Sequence, residues 1–339
     1  MGGKPVFEIP ATSSVINLES GFKEKLLCDG ATFSTGVACV YSCSFCYVPD
    51  IQSLKPKHIA LPHEAVVVRR ANALAEIRRK LTWQSGPTKG NPKFIGPKEE
   101  GRVIYASPLV DVAANMELVR ETVEACNIIM ELTPWHIRLL SKSNLLPQLA
   151  KLLIERRREF WQNWCHGRDA AEEVRERVIF GVSTGTLNDR IASAFEAGTP
   201  LVSARIKSLR KLQDEGFRTF GMICPSLPMA DEEYAPWAAM MAGAIRAEKC
   251  EHVWAEVINV RGESMRRTVE ALRAAGYPEE AKRVALVSWD KGEWELYARA
   301  TCEAHLQQIP PEKLRFLQYV DRRNEDYWRA FDGKGAVLL

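Results

Sequence analysis

The chain has 339 residues, of which 46% are hydrophobic and 26% charged. That length suits one large α/β domain with additions, and the balance excludes a disordered polar chain. A net charge of +3 permits a nucleic-acid partner without calling for one, no apolar run reaches the roughly 18 residues of a membrane span, and the opening "MGGKPVFEIPATSSVINLES" lacks a secretory pattern, so a cytoplasmic protein is expected.

Short β-branched or aromatic runs then alternate with amphipathic stretches of helical length. "ATFSTGVA" reads as a first strand, followed by a cysteine-bearing loop and a helix over about residues 64–80. "RVIYAS" precedes a helix through "NMELVRETVEACNIIM", and "HIRLLSKS" precedes a helix opened by Asn144. "RVIFGVST" leads into "LNDRIASAFEAGTP" and a second helix, "SARIKSLRKLQDEG", which Gly216 closes in the left-handed cap position. "FRTFGMICP" and "HVWAEVINV" each precede a further helix. Six βα units in succession predict an α/β fold with parallel strands, a partial (β/α)6 TIM-type barrel rather than an eightfold one. The expected organisation is an N-terminal extension over 1–29, the barrel over 30–276, and a C-terminal extension over 277–339 with a helix and an extra strand, "RFLQYV". Two segments interrupt the pattern: the Gly-, Pro- and Lys-rich loop "WQSGPTKGNPKFIGPKEEG" and the charged excursion "RRREFWQNWCHGRDAAEEVRER".

Nine cysteines, an odd number, argue against a disulfide framework in a reducing compartment. Three of them, Cys39, Cys43 and Cys46, have CX3CX2C spacing in the loop after the first strand, on the rim where βα loops build active sites. Thiolates bind soft metals, and three on one short loop can reach one centre. Structural zinc wants a fourth protein ligand, which His58 or His63 would supply. A four-iron, four-sulfur (4Fe-4S) cluster also usually takes four cysteines. No fourth cysteine lies nearby.

A cluster with three protein ligands keeps an open iron. With Phe45 and Tyr47 flanking Cys46, the loop resembles that of the radical S-adenosylmethionine (SAM) superfamily. The resemblance implies a 4Fe-4S cluster whose open iron chelates SAM. It further implies reductive cleavage to methionine and a 5′-deoxyadenosyl radical that abstracts a substrate hydrogen, and an electron donor of flavodoxin or ferredoxin type. The segments "RLLSKSNLL" and "VIFGVSTGTLNDRIASAFEAGTPLVSARIKSLRKLQDEGFRTFGMICPSLP" resemble the spore photoproduct lyase-like branch, so that the likeness runs from about Ala31 to Pro228.

Carried over by position, the resemblance gives Lys142 to the SAM carboxylate, Ser107 and Ser183 to its methionine part, and Glu196 to the ribose hydroxyls, with Arg205 supporting that site. The plainer readings are a solvated strand-end lysine, helix-capping serines, an exposed helix-end carboxylate and a surface arginine. "YASPL" stands where many members carry Gly-Gly-Glu, and Tyr105 falls where photoproduct lyases place a hydrogen-returning cysteine. Candidates for that role here are Cys224 at the end of "RTFGMIC", Tyr47 and Tyr105; Cys224 also reads as a small buried hydrophobe.

Basic clusters such as "VVVRR", "EIRRK", "ERRRE", "RIKSLRK", "SMRRT" and "VDRRN" mostly read as solvated helix faces. Trp161 and Trp164 beside "RRR", and Trp83 beside "RRK", mix base-stacking and phosphate-binding residue types and keep a nucleic-acid substrate in view. Radical modification of a small metabolite or peptide is the alternative enzyme. A zinc-stapled binding module is the non-enzyme alternative.

Overall fold

A computed structural model describes residues 4–10, 15–51, 59–62, 65–85, 101–106, 108–164, 169–260 and 262–339, with the side chains of 83–85, 163 and 164 left aside. In chain order it opens with β1 (Val6–Ile9), β2 (Ile16–Asn17), β3 (Ala31–Phe33), β4 (Gly36–Ala38), β5 (Ser42–Cys43), β6 (Val67–Arg70) and α1 (Ala73–Ser85). There follow β7 (Val103–Ala106), α2 (Met116–Leu132), β8 (His136–Ser141), α3 (Leu146–Trp164), α4 (Ala170–Arg177) and β9 (Val178–Ser183). Next come α5 (Asp189–Phe195), β10 (Glu196–Ala197), α6 (Val202–Asp214), β11 (Arg218–Ser226), α7 (Asp231–Ile245), β12 (Val253–Val257) and α8 (Ser264–Ala274). The chain ends with α9 (Pro278–Trp289), α10 (Lys291–Leu306), β13 (Leu314–Gln318), α11 (Glu325–Trp328) and β14 (Ala336–Leu338).

Two units interleave along the chain, one of residues 1–40, 53–180 and 214–218, the other of 41–52, 181–213 and 219–339. In the first unit β3, β7 and β8 are parallel neighbours, with β2 antiparallel on the far side of β3. Ile104, Ala106, Ile137 and Leu139 on these strands are wholly buried, as parallel strands covered on both faces require. Asn115 caps α2 by accepting from the Leu118 N–H at 2.9 Å, and α3 begins after Ser143, whose hydroxyl accepts from the Leu145 N–H at 3.1 Å.

A second small sheet in this unit, in the order β1-β6-β4, differs from expectation. The helix expected over 64–80 starts only at Ala73, and Val67–Arg70 is a strand instead. Consecutive β-branched valines, stiff at χ1, favour the extended chain there over a helical turn. The predicted single strand over 31–38 is likewise two, because Gly36–Ala38 leaves the main sheet to pair with β6. Val37, Ala38, Ile59, Val66 and Val68 form the core of this small sheet and anchor the chain just before Cys39.

In the second unit β11, β12, β13 and β14 run parallel, each hydrogen-bonded to the next. The end of β9 joins them through the Thr184 N–H, which donates to the Met222 carbonyl at 3.0 Å. Gly216, at φ +78°, ends the helical stretch as its position predicts. The expected extra strand is β13; β14 adds a second. The fold is α/β with parallel strands and crossover helices, and the strand order of each unit ends in an edge strand, β2 or β14. Among the described residues no helix is long and apolar enough to cross a membrane.

Candidate active site

Cys39 follows β4 in the first unit, where the Lys4 ammonium donates to its carbonyl at 3.2 Å. Cys43 and Cys46 lie in the second unit, and the backbone there is held at several points. β5 pairs antiparallel with β10, which sets Cys43 opposite Glu196 and Ser42 opposite Ala197. The Ser44 N–H donates to the Phe195 carbonyl at 2.9 Å, and the Phe45 ring meets the Phe195 ring edge-on at 5.7 Å. A tight turn returns the Cys46 N–H to the Cys43 carbonyl at 3.1 Å, and Tyr47 leads into a single 3₁₀ turn over Val48–Asp50.

The three loop cysteines are half-buried, whereas Cys28, Cys126, Cys250 and Cys302 are buried. Burial pushes the thiols of Cys28, Cys126 and Cys302 up, and that of Cys250 up to about 12, which keeps them inert. Among the described residues no three histidine, cysteine or carboxylate side chains are grouped closely enough to hold a metal ion. The fit of the loop to an iron-sulfur cluster therefore rests on its donor set, three accessible thiols within eight residues. His58 and His63, the expected fourth ligands of a zinc site, lie outside the described residues, as does Ser107.

Lys142 stands half-buried at the end of β8 in the first unit. Its N–H donates at 2.7 Å to Asp111, which also accepts from the Ser141 hydroxyl at 2.7 Å and the Ala113 N–H at 2.8 Å. Burial pushes the Asp111 carboxyl up, against the opposing pull of these hydrogen bonds. Asp111 therefore fixes the backbone that carries Lys142. Its only signal in the sequence is an acid in the "SPLVDVAAN" turn. Tyr105 is buried in β7 with its ring 5.5 Å from that of Phe22.

Ser183, Glu196 and Arg205 meet in the second unit. Neither Glu196 nor Arg205 matches the plainer reading of an exposed end or a surface arginine: both side chains are 1% exposed and pair at 2.5 Å. Arg205 also donates to the carbonyls of Ser183 at 3.2 Å and Pro200 at 2.8 Å, and to the Thr199 hydroxyl at 2.5 Å. Such a fork needs a guanidinium. The Ser183 hydroxyl donates to the Cys224 carbonyl at 3.1 Å. Cys224 is half-buried rather than enclosed, and its Sγ donates to Glu256 Oε2 at 3.6 Å. Glu256 was not foreseen, although an acid at the end of the apolar run "HVWAEV" marks a strand-end carboxylate. Beside these strand ends a cavity of about 350 Å³ is lined by Gly185, Thr186, Leu227, Met229, Trp237 and Met240.

The basic clusters are largely answered by acids. Arg69 pairs with Glu117 and Glu121, Arg78 with Glu131, Arg79 with Glu76, and Arg156 with Glu124. Arg157, from the mixture with Trp161, is turned inward: it pairs with Glu173 at 2.9 Å, and Trp161 Nε1 donates to the same carboxylate at 2.7 Å. This triad is a buried staple between α3 and α4, not a stacking platform. Trp83 and Trp164 lie outside the described side chains.

No family model matches the chain. An uncharacterized protein, ORF301, of Acidianus two-tailed virus is 24% identical over 255 residues, which is 75% of each chain. Among solved structures, a cysteine variant of spore photoproduct lyase superposes with a TM-score of 0.54 at 12% identity, covering 79% of this chain and 66% of that one. A tyrosine variant of the same enzyme gives 0.54 at 11% identity over 86% and 79%. A third variant, with bound AdoMet and dinucleoside spore photoproduct, gives 0.51 at 12% identity over 79% and 66%. The chain has the spore photoproduct lyase fold. At such identity the photoproduct lyase likeness is one of architecture, so the roles of individual residues rest on the contacts above.

Proposed function

We propose that the chain is a radical SAM enzyme. The observation that carries this reading is the CX3CX2C loop, with its half-buried thiols, on a photoproduct lyase fold. Cys39, Cys43 and Cys46 would hold a 4Fe-4S cluster; with SAM bound, that group supplies the deoxyadenosyl radical that abstracts the substrate hydrogen. The remaining work falls to the chain's own groups. Lys142 offers a cation for the SAM carboxylate, on a backbone pinned by Asp111. Glu196, held by Arg205 and set opposite Cys43, offers an oriented acceptor for ribose hydroxyls. Cys224, with its thiol directed to Glu256, is the candidate for returning hydrogen to the product, and Tyr47 is a candidate relay. The buried, stacked Tyr105 is the less accessible of the two tyrosines.

The substrate class favoured by the likeness is a nucleic-acid lesion, since neighbouring structures carry a dinucleoside photoproduct. A second reading, a small metabolite or peptide, is favoured by the arginines: Arg69, Arg78, Arg79 and Arg156 of the basic clusters are engaged with acids and Arg70 and Arg210 with carbonyls, and a largely apolar cavity lies at the strand ends. A flavodoxin- or ferredoxin-type protein is the proposed electron donor, and the cytoplasm the proposed location.

The test is anaerobic reconstitution followed by SAM and a strong reductant. A brown protein that forms 5′-deoxyadenosine supports the proposal, and a colourless zinc protein refutes it. Candidate substrates of the two classes are then separated by which is turned over, and heavy water shows whether deuterium enters the deoxyadenosine or the product.

A further inference from the structure

The pair Arg266-Arg267 belongs to a helix whose basic residues read as a solvated face. Arg266 obeys that reading: it is exposed and pairs with Glu263 at 2.5 Å and Glu270 at 2.6 Å on its own helix. Arg267, about 100° further round α8, does not. Its side chain is 18% exposed, and its guanidinium meets the cysteine loop at three residues. Nε donates to the Ser44 carbonyl at 3.2 Å and Nη2 to the Cys46 carbonyl at 2.7 Å. Nη1 and Nη2 donate to the Asp50 carboxylate at 2.9 and 3.1 Å.

These grips bracket the segment that carries Cys46 and Tyr47. Thr268, the next residue of the helix, adds another, since the Ser44 hydroxyl donates to its Oγ1 at 3.1 Å. Asp50 is confined as well. A Cβ on Gly262, which sits at φ +51°, would come within 2.8 Å of its carboxylate. A bidentate ion pair combined with two carbonyl acceptors uses the planar geometry of arginine, which a lysine point charge cannot reproduce.

We infer that Arg267 is a positioning residue for the metal centre: it fixes the backbone from which Cys46 presents its thiolate, and its guanidinium offsets the Asp50 carboxylate next to that segment. The inference deepens the proposed function and rests on it where the metal is concerned. Outer residues that orient ligands change metal affinity by about 10- to 100-fold, and nearby charge and hydrogen bonds set cluster potentials. With the guanidinium present the Asp50 carboxylate is offset, and without it that negative charge disfavours the reduced, more negative state of an anionic centre. Removing the guanidinium moves the midpoint potential downward.

The experiment compares the full chain with Arg267→Met, Arg267→Lys and Asp50→Asn. Amide hydrogen exchange over 44–50 is measured in the metal-free protein. Iron loss to a chelator and the midpoint potential are measured after reconstitution. Arg267→Met is expected to speed exchange in that segment alone, to speed iron loss by roughly tenfold, and to make the potential more negative. Arg267→Lys is expected to restore the potential but not the protection or the iron retention, and Asp50→Asn to loosen the segment with the helix intact. Wild-type exchange and iron loss in Arg267→Met would overturn the inference. If the wild-type chain takes up no iron, the parent reading fails, and the exchange measurement still decides whether Arg267 positions the loop.

Discussion

Glu196 stands opposite Cys43 across the two-residue ladder of β5 and β10, and its carboxylate is locked to Arg205 at 2.5 Å. One short bridge thus couples the cysteine loop to the acceptor assigned to the ribose. Removing one partner of a buried ion pair costs about 3–5 kcal/mol, and Arg205 also holds the carbonyls of Ser183 and Pro200. Arg205→Met should therefore lower stability by that amount in urea unfolding. Glu196→Gln, which keeps the shape, should weaken SAM binding by roughly ten- to a hundredfold with the cluster retained, as read by calorimetry on reconstituted protein.

Lys142→Ala should weaken SAM binding while iron content stays at the wild-type level. Asp111→Asn tests the same point from beneath, because it alters the acceptor that fixes the Lys142 backbone. Unchanged SAM affinity in Lys142→Ala would remove the lysine from the site.

Cys224→Ala should leave the formation of 5′-deoxyadenosine intact and stop return of hydrogen to the product. Deuterium tracing in heavy water reads the two steps separately. A variant that completes turnover normally would shift the role to Tyr47.

His305 is fully buried on α10 against the Trp237 ring, at 4.9 Å, and neither ring nitrogen has a hydrogen-bond partner. Burial pushes its imidazole down to about 3 from an ordinary 6.5. The unfolded chain takes up a proton that the folded chain refuses, so stability is lost as pH falls from about 6.5 toward 3, by about 1.4 kcal/mol per pH unit. Above that window the group contributes no pH dependence. His305→Phe should gain about 2 kcal/mol relative to wild type between pH 7 and pH 5. Parallel pH profiles for the two proteins in urea unfolding would refute the assignment.

Arg157→Ala should destabilise the protein by less than the roughly 3–5 kcal/mol of a fully stranded buried charge, because Glu173 keeps Arg177 at 3.5 Å and the Trp161 Nε1–H at 2.7 Å. Retention on a DNA or heparin column should not change, since the arginine is turned into the protein.

The residues legible in the sequence are those whose signal is local. The spacing of Cys39, Cys43 and Cys46 lies within eight positions, Lys142 follows a recognisable strand, and Ser183 and Cys224 lie toward the ends of two others. Six βα units could be read because their strands and helices are long enough to show a period. β6 could not, since four residues carry too little period to compete with the helical pattern that follows. Asp111, Glu256 and Arg267 escaped notice for a different reason. Each acts on a partner 31, 32 or 217 residues away, and no spacing rule reaches that far. The inward turn of Arg157 is not legible in the sequence, because composition reports charge and aromaticity but not which way a helix turns them.

Ser44 and Thr268, now in contact, are 224 positions apart. A ribosome adding about 5–20 residues per second needs on the order of tens of seconds to cover that distance. The thiols emerge early, and their final clasp emerges late. Throughout that interval the loop lacks the grip of α8, so the backbone that carries Cys46 reaches its final form only once translation has passed that helix.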